Sequence, residues 1–142
     1  MDLNLIKKEI ETEVINICDY YHDKNFEALS RLFSTKSNIM IFGTNSKETY
    51  RTIEEWQALV KRDIELYDVI NFGKIRNLSI QVASSANFAT SFFEAELEYT
   101  AEYERSNPDI RLALTWIKED ENWKIIQWLA SFPATEEQQI IF

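Results

Sequence analysis

The chain has 142 residues, and this length predicts a single domain that covers residues 1–142. Its net charge of −9 repels phosphate backbones and anionic lipid surfaces, so we expect neither nucleic-acid nor membrane binding. Hydrophobic residues make up 45% of the chain, a share that is typical of globular domains and excludes disorder.

The residue types that build common catalytic and cofactor sites are scarce. Because the two glycines stand apart, no glycine-rich phosphate-binding loop can be written, and one histidine with one cysteine leaves no zinc-ligand spacing. We therefore expect no metal, no cofactor and no assignable catalytic residue. The first nine residues contain acids where a signal peptide needs an apolar stretch, and no window is apolar enough to span a bilayer. These features predict a cytoplasmic protein.

The first part of the chain has the period of amphipathic helices. Apolar residues between Leu3 and Tyr21 recur every three or four positions, and Asp2 precedes them as a candidate N-cap. The same spacing between Phe26 and Phe33 predicts a short second helix.

A buried strand and a third helix follow. Residues 39–42 are apolar and too few for a helix, which is typical of a buried strand. Thr52 and Glu55 have the spacing of a capping box, so a helix is predicted to begin there. One face of this helix carries Ile53, Trp56, Val60, Asp63, Ile64 and Tyr67.

The hydrophobic period changes to two after Gly73. It predicts four strands at about 74–83, 87–104, 110–119 and 123–132, separated by turn-forming residues. Because helices come first and long antiparallel strands follow, the chain is predicted to be an α+β domain.

Alternation along these strands predicts which side chains face the helices. Phe93 and Tyr99 share one face of the longest strand, and in the last strand Ile126, Trp128, Ala130 and Phe132 are assigned to the same inner face. The outer face is polar but also carries four apolar side chains, Phe92, Ile117, Ile125 and Leu129. An outer face this apolar predicts a partner, and we expect a homodimer that forms through it.

The order of elements resembles the NTF2-like fold and, within it, the SnoaL-like group. The stretches that carry the resemblance are residues 26–33, 87–89, 111–117 and 122–128. The resemblance implies an α+β cone in which N-terminal helices pack on a curved, mostly antiparallel sheet. It also implies a conical pocket and a dimer built on the outer sheet face. Members usually carry a histidine where this chain has Leu129, so no histidine-dependent role is implied.

Aromatic side chains on the predicted inner surfaces are the candidates for lining such a pocket. Their wide rings bury an apolar ligand, and the polar tips of Tyr and Trp can form hydrogen bonds with it. The same rings can instead fill the core. The predicted ligand-binding residues are Tyr21, Phe42, Trp56, Asp63, Phe93, Tyr99, Trp116 and Trp128.

The functional hypothesis is a homodimeric domain that binds a small, largely apolar or aromatic molecule. Two alternatives remain open. The first is a cofactor-independent isomerase, dehydratase or hydrolase, in which a desolvated Asp63 works with Tyr21 or Tyr99. The second is a protein-association module whose cavity is filled by its own side chains.

Two further groups of residues have simpler explanations than chemistry. Glu94, Glu96 and Glu98 on one strand face could hold a divalent cation, but pairing with basic residues of neighbouring strands (Arg76, Arg111 or Lys118) or with a second subunit is favoured. Cys18 and His22 are four residues apart on the first helix, where a core thiol and a helix-end imidazole are favoured over a catalytic pair.

Overall fold

The computed structural model describes residues 2–135, apart from the side chains of Asp63 and Ile64. Within this part the chain forms three helices and eight strands. The helices are α1 (Leu3–His22), α2 (Phe26–Ser30) and α3 (Ile53–Leu66). The strands are β1 (Met40–Phe42), β2 (Thr49–Tyr50), β3 (Val69–Phe72), β4 (Arg76–Val82), β5 (Phe88–Ala101), β6 (Glu104–Ser106), β7 (Asp109–Glu119) and β8 (Asn122–Ser131).

The predicted caps begin the first and third helices. The Asp2 carboxylate accepts the backbone N–H groups of Asn4 and Leu5 at 2.9 and 3.3 Å. At α3 the Glu55 backbone N–H donates to the Thr52 hydroxyl oxygen at 3.2 Å. None of the helices in the described part of the chain is long and apolar enough to cross a bilayer.

The second helix is shorter than the sequence predicts. It ends at Ser30 and not near Phe33. The chain after it pairs with β8 instead. The Ile125 N–H donates to the Leu32 carbonyl at 2.7 Å, and the Ser34 N–H donates to the Ile125 carbonyl at 2.9 Å. These bonds attach the helical layer to the sheet.

The strands form one curved sheet in the order β2-β1-β8-β7-β5-β3, and β4 and β6 also pair with β5. All pairs are antiparallel except β1 with β8. β5 is the central strand of the sheet. One of its edges pairs with β4 and, farther along, with β3, and its other edge pairs with β7 and, farther along, with β6. The predicted α+β class with a curved, mostly antiparallel sheet is confirmed.

The segment predicted as one long strand, residues 87–104, forms β5 and then turns back into β6 as a hairpin. It ends at Ala101 because Glu102 and Tyr103 take positive φ angles of 50° and 72°, and β6 follows. The sequence analysis also missed β2 and β3. These strands have two and four residues, too few for a periodic signal.

The predicted faces are confirmed in β5 and β7, but in β8 the assignment is wrong over the first half. Thr115 pairs with Gln127 while Trp116 pairs with Ile125, so Ile126 is an extra residue, a β-bulge. The bulge turns Ile125 into the core, where it is fully buried, and leaves Ile126 half-buried. Ile125 therefore does not contribute to the outer face.

The bulge makes a prediction about two adjacent isoleucines. Ile125→Ala is expected to lower the free energy of unfolding by about 3 kcal/mol, because a wholly buried side chain leaves a cavity. Ile126→Ala is the matched control, and its cost is expected to be about 1 kcal/mol or less. Urea denaturation measures both. Equal costs, or a larger cost at Ile126, would contradict the bulge.

Candidate ligand-binding site

A cavity of about 310 Å³ lies between the inner face of the sheet and α3. Its walls come from the last turn of α1, from α3 and from strands β1, β3, β5, β7 and β8. Its volume falls near the lower end of the range for small-molecule pockets, which runs from about 300 to 1,000 Å³. The cavity is therefore large enough for a small ligand.

Aromatic rings form one wall of the cavity. The ring centroid of Tyr21 lies 5.4 Å from that of Phe72 and 6.4 Å from that of Trp128. Trp56, at the start of α3, lies 6.4 Å from Trp128. The rings meet at angles of 41°, 54° and 67°, so they hold each other in tilted arrangements and their faces do not stack closely.

Aliphatic side chains complete the inner walls. They come from four strands and from α3, and they are Ile41, Val60, Ile70, Leu97, Ile110 and Leu112. In the described part of the chain, none of the buried lining residues is charged. The described walls of the interior can therefore accept an apolar body.

The mouth of the cavity is polar. The loop between β1 and β2 contributes Thr44, Asn45 and Glu48, and α3 contributes the exposed Arg62. The loop is closed by backbone bonds, from the Gly43 N–H to the Glu48 carbonyl at 2.8 Å and from the Glu48 N–H to the Asn45 carbonyl at 2.9 Å. A Cβ atom at Gly43 would overlap the Glu48 side chain, so this close approach requires glycine.

Four tyrosines contribute to the lining: Tyr21, Tyr50, Tyr67 and Tyr99. The rings of Tyr67 and Tyr99 pack edge to face at 5.2 Å. The backbone carbonyl of Tyr67 accepts a hydrogen bond from Lys24 Nζ at 2.8 Å, which ties the end of α3 to the turn after α1. The described lining therefore includes phenol rings beside its aliphatic side chains.

Of the eight predicted site residues, the structure brings Tyr21, Trp56, Tyr99 and Trp128 together at the cavity. Asp63 lies in α3, but its side chain falls outside the part that the structure describes.

The other three aromatic residues lie elsewhere. Phe42 is 43% exposed, because its neighbour Ile41 takes the inward position of β1. Phe93 and Trp116 are buried in the core and do not line the cavity, although the Phe93 ring lies 6.3 Å from that of the lining residue Phe72. The Trp116 indole donates to the buried Ser91 hydroxyl at 2.9 Å. Among the lining residues that the sequence analysis did not select, Tyr67 had a signal, since it lies on the apolar stripe of α3.

The glutamates of the ladder have partners in the sheet, and the expected pair of Glu94 with Arg111 is confirmed. Glu94 accepts from Arg111 at 2.6 Å and from Asn77 at 2.8 Å, and Arg105 pairs with Glu98. The hydrogen bonds from Arg111 and Asn77 hold the pKa of Glu94 below its usual value. Among the described residues, no group of acidic, His or Cys side chains could hold a metal ion.

The thiol of Cys18 is a poor nucleophile. Burial, together with the negative charge of Asp19, raises its pKa to about 12, so almost none is ionised at neutral pH. His22 is exposed at the end of α1. These positions match the expected core thiol and helix-end imidazole.

The comparison with protein-family models shows which family the chain belongs to. The model of the SnoaL-like domain matches residues 10–135. The chain belongs to this family. Among curated proteins none matches it.

Solved structures give the same fold. An NTF2-like candidate dehydratase from Streptomyces avermitilis has a TM-score of 0.83 and 10% identity, over 94% of this SnoaL-like chain and 100% of that one. An NTF2-like protein of unknown function from Pseudomonas putida has a TM-score of 0.78 and 13% identity, over 98% and 95% of the two chains. A candidate scytalone dehydratase from Novosphingobium aromaticivorans has a TM-score of 0.76 and 14% identity, over 97% and 91%. The predicted NTF2-like cone is confirmed.

Proposed function

We propose that this SnoaL-like domain binds a small, largely apolar or aromatic molecule in its cavity. The observation that carries the proposal is an aromatic and aliphatic interior of about 310 Å³ without a charged residue among its buried, described lining. Such an interior gains free energy by removing apolar ligand surface from water, at about 25 cal/mol per Å². The single cysteine suits the reducing cytoplasm, where we propose that the protein works.

An enzyme is the second candidate function. The four tyrosines of the lining favour it, since a phenol can donate a proton or a hydrogen bond to a reacting oxygen. Two of the similar structures are described as candidate dehydratases. In this alternative Asp63 would be the carboxylate that works with Tyr21 or Tyr99. The open cavity disfavours a pure association module, which has no need of a hollow interior.

We also propose that the protein is a homodimer through its outer sheet face. Phe92 and Leu129 are each 47% exposed, and both pair with Ala113 of β7, so the three side chains form a row across three strands. Phe88 and Ile117 form a second cross-strand pair on the same sheet. A second copy related by a two-fold axis would cover this row with its own row.

The ligand proposal predicts that a small aromatic probe such as naphthalene stabilises the protein. At about one hundred times its Kd, a ligand adds about 2.7 kcal/mol to the free energy of unfolding, which raises Tm by several degrees. Trp56 and Trp128 line the cavity, so tryptophan fluorescence should change with the same concentration dependence.

A blocked cavity provides the control. Leu97→Trp places an indole at a half-buried lining position and should abolish both signals. Leu78→Trp makes the same change at a half-buried leucine of β4 outside the cavity lining, and should preserve them. Equal responses in the two variants would refute cavity binding. Loss of water from a β-hydroxyketone, giving the enone, that is abolished in Asp63→Asn while the compound still binds would favour the enzyme.

The dimer proposal predicts a particle of about twice the 16.8 kDa chain mass by light scattering at micromolar concentration. Leu129→Asp should give a monomer, because it would bury an unpaired charge at the interface. Leu5→Asp is the matched control, since Leu5 is similarly exposed, at 56%, but lies on α1. A wild-type monomer, or a dimer that survives in Leu129→Asp, would contradict this interface.

A further inference from the structure

The outer face of the sheet carries rows of side chains that run across the strands. In each row the register places one residue of β4, β5, β7 and β8 side by side. One row consists of Ser79, Phe92, Ala113 and Leu129, so small and large side chains alternate along it. In the opposite direction the order is large, small, large, small. The row is therefore complementary in size to its own reverse.

A two-fold axis reverses this row if it runs between β5 and β7, parallel to the strands. Such an axis lays β5 over β7 of the partner subunit and β8 over the partner's β4. Phe92 then lies over Ala113 of the partner subunit, and Leu129 lies over the partner's Ser79. Each large side chain faces a small one, which allows the two faces to pack closely. An axis along the row itself would instead set large side chains on large ones.

The neighbouring row is complementary in chemistry. It consists of Gln81, Thr90, Thr115 and Gln127, and this order of residue types is the same in both directions. The Thr115 hydroxyl bonds to Gln127 Oε1 at 2.8 Å within the row. The same axis places Gln127 over the partner's Gln81. Because an amide has both donors and an acceptor, two facing glutamines can bond to each other.

Charged side chains match as well. On the other side of the Phe92 row, Glu94 pairs with Arg111 at 2.6 Å, and the axis places Glu94 opposite Arg111 of the partner subunit. One row farther, Glu96 lies beside Asp109, and there the axis would bring carboxylates together, so the contact ends at the Glu94 row. Two chains of charge −9 repel each other overall, so a face whose charges match favours contact through that face.

We propose that a second copy of this chain packs on the outer sheet face about a two-fold axis that runs between β5 and β7, along the strands. This inference rests on the proposed homodimer and adds the position of its axis. The axis fixes three facing pairs: Phe92 with the partner's Ala113, Leu129 with the partner's Ser79, and Gln127 with the partner's Gln81.

A designed ion pair between positions 79 and 129 tests the axis. The two residues are three strands apart in one chain, which separates their Cα atoms by about 14 Å, so coupling between them reports contact between copies. Leu129→Glu should give a monomer, because it buries a carboxylate against the partner's Ser79. Adding Ser79→Lys places an ammonium opposite that carboxylate and should tighten the dimer Kd at least about tenfold. Sedimentation velocity over a dilution series measures this Kd.

Thr49→Lys is the matched control for the added lysine. Thr49 is exposed beside Phe42 in the same row and is only two strands from Leu129, so it is closer to Leu129 within one chain than Ser79 is. It lies outside the four strands that overlap, so Thr49→Lys should not restore the dimer of Leu129→Glu. Gln127→Glu with Gln81→Lys forms a second facing pair, for which we expect the same weakening and rescue. Circular dichroism checks that each variant is folded.

The outcomes separate the axis from the dimer itself. A wild-type dimer that neither Ser79→Lys nor Gln81→Lys restores in its pair would overturn the proposed axis and leave the homodimer intact. Equal rescue by Thr49→Lys, or a Leu129→Glu protein that stays dimeric, would overturn the axis as well. If the wild-type protein is a monomer, the proposed homodimer fails and the axis fails with it.

Discussion

The β-bulge at Ile126 determines which side chains of the last strand reach the interior. It lets Ile125 and Trp128, which have opposite parity along the chain, both face inward. Ile125 then joins the core and bonds through its backbone to Leu32 and Ser34, while Trp128 reaches the cavity. A regular strand could place only one of these two side chains inside, and the aromatic wall would lose its central ring.

The cavity follows from the curvature of the sheet around the helices. β5 has 14 residues and carries four neighbouring strands, and the bulges in β4 and β8 add local bends. Trp56 and Trp128 hold each other at 54°, so they do not stack. Wide rings held at such an angle leave space between them, so a cavity can exist beside a closely packed core.

Much of the fold could be predicted because its signals are local. The stripe of α1, the cap at Asp2 and the alternation in β5 and β7 each depend on residues a few positions apart. The site was harder to predict, since it depends on pairing between distant segments. Trp56 and Tyr67 were on a recognisable helix stripe, but Phe72 lies in a strand of four residues that gives no periodic signal.

The same limit explains the two aromatic residues that were placed in the pocket and lie in the core instead. Phe93 and Trp116 have the inward parity of lining residues, and parity does not say how far along the cone a side chain lies. Their depth follows from strand register, which places Trp116 beside Ser91 and Phe93 opposite Leu112. Register in turn depends on the turns and bulges, and only the structure shows these.

A crystal structure with a brominated naphthalene tests the central claim, an open aromatic cavity that binds ligand, most directly. The anomalous signal of bromine locates the probe without reference to the protein. We expect a peak inside the cavity, against the rings of Trp56 and Trp128. Crystals without this peak at saturating probe, in which Tyr21 and Phe72 close the space between the tryptophans, would contradict the account.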